Sequence, residues 1–128
     1  MGAPWCMAYV WQMGRQALGA DWPVPRTASV QDGLVAWAKT VAGVFLPSGG
    51  PFERGDLFLV WNAGLQRYAH VGFVEHVVGS MQSTLDTLEG NTSAGGSREG
   101  FGVFQRRRGA HALAGVRWTA ALGTPASI

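Results

Sequence analysis

The chain has 128 residues, 47% of them hydrophobic, 14% charged and 19 of them glycine. That length suits one compact domain around one core, and the low charge argues against a charge-covered helical bundle. Net charge is only +2, no basic stripe interleaved with aromatics occurs, and no apolar run reaches the length of a membrane span, so nucleic-acid binding and a membrane span both lack support.

Residues 4–18 (PWCMAYVWQMGRQAL) read as a helix. Pro4 suits the first turn, where its missing N–H costs nothing. Met7, Val10, Trp11, Ala17 and Leu18 roughly follow helical spacing, and Gly19 offers a C-cap. Pro23 and Pro25 make 20–26 a loop. A second helix is expected over about Ser29–Val41, capped by Ser29, with Asp32 three residues on resembling a capping box. From about Phe45 the character changes. After the Pro47–Pro51 loop, strands are expected at Asp56–Trp61, His70–Val78, Met81–Asn91, Phe101–Arg108 and Gly115–Thr119. Turns fall at Gly64, Gly79 and the Ser93–Gly100 stretch. Two helices followed by an antiparallel sheet of about five strands is an α+β order rather than alternating βαβ.

A lone cysteine permits no intrachain disulfide and no Cys-based zinc site. Cys6 falls in the first turn of the expected helix, where the helix dipole and free N–H groups favour a thiolate and can bind a developing oxyanion. The plainer reading of a single cysteine is a small buried hydrophobe. A catalytic thiol needs a base, and the histidines are His70, His76 and His111. His70 opens an apolar strand, from which its ring can reach past the sheet edge toward a helix end. His76 shares its face if the strand is regular, though a bulge would separate them. His111 lies in a short loop near the C-terminus. The base needs an orienting partner. Glu89 and Asn91, two apart at a strand end, face the same way, and an adjoining strand carrying His70 would set its ring against them. Taken locally, Glu89–Thr92 also reads as a polar turn.

Together these segments resemble the CHAP family of cysteine, histidine-dependent amidohydrolases and peptidases. The matching motifs are Gly2–Val10 (GAPWCMAYV), Arg54–Phe58 (RGDLF), His70–Val74 (HVGFV) and Leu88–Ser93 (LEGNTS). The Gly-rich Gly95–Gly102 turn and the Val103–Arg108 strand close the series, in family order. The resemblance implies a papain-like core, with a nucleophile helix packed on an antiparallel sheet that carries the histidine. It implies Cys6 as nucleophile, His70 as base, Glu89 in the third, histidine-orienting position and Asn91 in the fourth. Trp5 and Trp61 are candidates to line the substrate groove, with core packing as the alternative for each. Some relatives bind calcium through acidic residues near the nucleophile; no such cluster occurs here, so neither metal nor cofactor is expected.

The implied reaction is hydrolysis of an amide in the peptidoglycan stem peptide, as N-acetylmuramoyl-L-alanine amidase or endopeptidase. The expected partner is bacterial peptidoglycan, and the expected state a monomer. No basic leader with an apolar core opens the chain, which fits an endolysin made in the host cytoplasm that meets the wall after release. Only five residues precede Cys6, fewer than is common in the family, which equally fits a piece of a longer protein. Two rival readings are a papain-like hydrolase or acyltransferase on a non-wall amide, and a wall-binding module without activity. Arg54-Gly55-Asp56 reads as a turn entering a strand rather than an adhesion tripeptide. Arg106-Arg107-Arg108 reads as a solvated strand end, or as an attraction for an anionic envelope.

Overall fold

The computed structural model describes residues 5–92 and 101–122, with the side chains of Trp5, Asn91, Thr92, Phe101 and Gly102 left aside. Pro4 and the Ser93–Gly100 turn lie outside the described residues. The first described element is helix α1, Trp5–Leu18. Its inner face buries Cys6, Met7, Tyr9 and Val10 against Leu57, Leu59 and Val71 of the sheet. Gly14 lies inside this helix because Trp22 packs over it: a Cβ there would come within 2.1 Å of the indole. Gly19 takes a positive φ of 59° and ends the helix, as its position in the sequence indicates.

The second helix is shorter than the sequence suggests. It consists of a π-helical turn, Val30–Val35, continued by a brief α2, Ala36–Ala38. Ser29 does cap it, accepting from the Asp32 N–H at 2.8 Å. The Asp32 carboxylate, however, is taken by Arg67 at 2.7 Å, so a reciprocal capping box is not what occupies it. The wide turn brings Gly33 against Thr27, where a Cβ would stand 2.1 Å from the hydroxyl oxygen. Packing there sets the local geometry more than helix propensity does.

The remainder is one six-stranded sheet in the order β1-β6-β2-β3-β4-β5, antiparallel throughout. The strands are β1 Phe45–Leu46, β2 Leu57–Asn62, β3 Arg67–Val78, β4 Thr84–Thr92, β5 Phe101–Gly109 and β6 Ala114–Val116. The fold is α+β, consistent with a papain-like arrangement, with one strand more than the five expected. The extra strand is β1, a two-residue edge held, among the described residues, by β6 alone. Two expected strands are corrected. Residues 80–82 form a 3-10 turn with Met81 and Gln82 at positive φ, so β4 starts at Thr84 rather than Met81. The last strand stops at Val116, and Trp118–Ala121 is a 3-10 turn.

The Arg54-Gly55-Asp56 segment is structural. Gly55 (φ 95°) donates to the Val74 carbonyl and Val74 donates back to that of Asp56, each at 2.8 Å, which docks the turn onto β3. The buried Asp56 carboxylate accepts from Arg117 Nη2 at 2.7 Å and Nε at 3.1 Å, tying the entrance of β2 to the exit of β6.

Candidate active site

Three of the side chains singled out in the sequence meet at one place. Cys6 is buried in the first turn of α1, near enough to His70 for its thiol to help raise the pKa of the imidazole. His70 lies within β3, directly opposite Val60 of β2. Its Nε2 donates to Oε1 of Glu89 at 2.7 Å. That bond fixes the ring orientation and leaves Nδ1 as the nitrogen free to serve the thiol. The Phe58 ring packs edge-on to the imidazole with centroids 6.0 Å apart. Gly72, two residues beyond His70, is needed there: a Cβ would come within 2.6 Å of Phe58 and 2.8 Å of the Leu88 carbonyl.

Glu89 is the most constrained member. It is 1% exposed, yet every approach to its carboxylate carries a donor. Oε1 accepts from His70 Nε2 at 2.7 Å and Arg108 Nη2 at 2.8 Å, while Oε2 accepts from Arg108 Nε and the Thr87 hydroxyl, both at 2.7 Å. Burial alone would push this carboxyl up; the bonds from Arg108, His70 and Thr87 instead hold it far below the usual carboxylate range. The charge it retains acts on His70. Burial works against an imidazolium, but the hydrogen bonds to Cys6 and Glu89 and their charges outweigh it, and His70 is pushed up to about 9. A thiol, an imidazole and a buried carboxylate in line form the arrangement that nucleophilic acyl transfer needs.

This chain belongs to the CHAP domain family, whose profile matches residues 1–91. CHAP domains are hydrolases of the amidase and peptidase kind, with roles on peptidoglycan, and this chain is accordingly an enzyme of that general type. No curated protein and no solved structure matches it.

The other candidates stand apart or out of view. Asn91 lies in β4 two residues beyond Glu89, opposite Gly102 of β5, and its side chain is outside the described residues. The same holds for the side chain of Trp5. Trp61 sits past an irregularity between Val60 and Trp61, is 45% exposed, and packs edge-on to Tyr68 with centroids 5.0 Å apart. It lines an open groove of about 600 Å³ with Val60, Arg106, Arg108 and His111. His76 does not share the environment of His70, because a bulge between Val74 and His76 shifts the register and sets it opposite Asp86. Sequence reasoning missed Thr87 and Arg108 as parts of the site. Alternation along β4 would have found Thr87, two residues before Glu89. Arg108 sits opposite Leu85, so only the tertiary arrangement reveals its reach across the Phe58 ring to Glu89.

Proposed function

We propose that this enzyme cleaves an amide bond of the peptidoglycan stem peptide by thiolate chemistry, with Cys6 as nucleophile, His70 as general acid and base, and Glu89 orienting His70. The observation that carries this reading is the 2.7 Å bond from His70 to the buried Glu89 carboxylate, with the buried Cys6 thiol in the first turn of α1 acting on the same imidazole. In the first half-reaction the Cys6 sulfur attacks the amide carbonyl, and N–H groups of the first turn of α1 receive the oxyanion. The tetrahedral adduct collapses as His70 protonates the leaving amine, giving a thioester on Cys6. Neutral His70 then takes a proton from water, the hydroxide attacks the thioester, and the carboxylic acid and the Cys6 thiol are released. Glu89 keeps the imidazole in one tautomer throughout. The muramoyl–alanine amide and peptide bonds within the stem or cross-bridge present the same reacting group. We extend the reading to a lytic, endolysin-type role.

Digestion of purified peptidoglycan followed by mass spectrometry is the test, with Cys6→Ala alongside. Release of fragments by the native enzyme and none by Cys6→Ala is the expected result, and the fragment masses name the bond. Fragments from both proteins would overturn the assignment of Cys6. No fragments from either folded protein would overturn peptidoglycan as the substrate.

A further inference from the structure

We infer that Arg108 is a positioning residue of this site: its guanidinium, braced over Phe58, clamps the Glu89 carboxylate ionised and aimed at His70, with the Thr87 hydroxyl as its second stay. The inference rests on the reading that His70 and Glu89 act together, and it concerns a residue beyond residue 91, where the family match ends.

The geometry carries it. Arg108 meets Glu89 side-on with two nitrogens, Nε to Oε2 at 2.7 Å and Nη2 to Oε1 at 2.8 Å. Such a fork fixes both the position and the plane of a carboxylate. The guanidinium is itself held, with Cζ 5.3 Å from the centroid of Phe58, the same ring that packs against His70. Clamp, carboxylate and base therefore share one wall. Arg108 differs here from its neighbours. Arg107 forks onto Asp86 at 2.6 and 3.1 Å at the exposed surface, a pair of little energetic weight.

The need for a clamp follows from burial. A carboxylate that is 1% exposed loses its hydration and would take up a proton unless donors replace the water. His70 supplies one donor through Nε2, but its positive charge comes and goes as Nδ1 takes up and releases the proton of the reaction cycle. Arg108 supplies charge at every stage, because a guanidinium does not deprotonate. Glu89 then stays ionised while His70 is neutral, which is when the imidazole must keep its Nε2 proton and present Nδ1 to water or thiol. Among the described residues, the titratable and charged groups facing Glu89 are His70 from β3, Arg108 from β5 and, through His70, Cys6 from α1; its own strand adds the neutral Thr87.

The experiment follows the ¹³C resonance of the Glu89 carboxyl against pH in the full chain, for the native protein, Arg108→Gln, Arg108→Lys and Thr87→Val. Turnover of peptidoglycan is measured in parallel. In the native protein the carboxyl should show no titration step down to about pH 3. Arg108→Gln should bring a step at or above the ordinary glutamate value of about 4.3. Its turnover should fall further at pH 5 than at pH 8, in proportion to the fraction of Glu89 that the carboxyl titration shows to be protonated at each pH. Arg108→Lys keeps the charge without the fork and should restore most of the native profile at low pH. Should Arg108→Gln fail to fold, a smaller upward move in both Arg108→Lys and Thr87→Val decides in favour of the clamp. A Glu89 carboxyl that titrates as in the native protein in every folded variant overturns it. The carboxyl readout requires no substrate, so failure of the clamp and failure of the peptidoglycan reading are seen separately.

Discussion

Glu89 is a residue whose two oxygens are not interchangeable with an amide. Both accept two bonds, and three of the four donors (His70 Nε2 and two nitrogens of Arg108) are unable to act as acceptors in the charged site. In Glu89→Gln, an amide NH2 on the Oε1 side would face His70 and Arg108, and on the Oε2 side it would face Arg108 Nε. Either placement sets donor against donor in a buried site. With the NH2 on the Oε1 side His70 loses its acceptor at Nε2, and with it on the Oε2 side the acceptor remains but the charge that holds the tautomer is gone. We expect Glu89→Gln to lower kcat/KM on peptidoglycan by at least about 100-fold, measured from initial rates with folding verified by near-UV circular dichroism. A loss smaller than tenfold would move the orienting role to Asn91, the neighbour two residues along β4.

At the scale of elements, what the sequence carries and what it conceals divide along physical lines. Helix α1 and strands β2 to β5 are legible because each combines a strong period with a stop signal such as Gly19 or Gly79. The meeting of Cys6, His70 and Glu89 is legible because each lies in a short motif in the order of the family's. Features that depend on distant partners are not. β1 is two residues long and exists only because β6 offers it an edge. The turn at Val30–Val35 widens where Gly33 meets Thr27. The bulge after Val74 that separates His76 from His70 leaves no local mark. Arg108 read as part of a solvated basic run because its partner lies 19 residues away in sequence. Gly72 illustrates the same point from within a motif: the glycine of His70–Val74 could be read, but its cause is the Phe58 ring and the Leu88 carbonyl above it. Gly72→Ala adds a methyl where backbone and a fully buried ring leave no space. We expect a loss of about 1–3 kcal/mol in denaturant unfolding, together with displacement of Phe58 and therefore of both His70 and Arg108. Native stability in Gly72→Ala would mean that Phe58 is free to turn aside, and that the shared wall is softer than its packing suggests.

For the whole molecule, the charge line through the site couples stability to pH in a defined window. His70 and Glu89 share one interaction, to which Cys6 adds on the His70 side. The folded-state pKa of Glu89 is depressed, so its contribution is present above its unfolded value of about 4.3 and is lost as pH falls. His70 is raised to about 9 in the folded state, so its contribution is complete below the unfolded value of about 6.5 and is lost as pH rises toward 9. Both are fully present only between those unfolded values. Tyr9 is also raised, first by burial and then by Glu75, and since an ordinary tyrosine titrates near 10 its effect begins above that window. Thermal melts from pH 5 to 9.5 should therefore give a Tm highest near pH 5 to 6.5, with a continuous decline above. In His70→Asn the decline should flatten, because the group that releases the proton is gone. A native Tm that stays level from pH 6.5 to 9.5 would show that the imidazolium does not hold its proton between Cys6 and Glu89. In that event the thiol would face a neutral base at working pH, and proton transfer from Cys6 would have to accompany attack on the carbonyl rather than precede it.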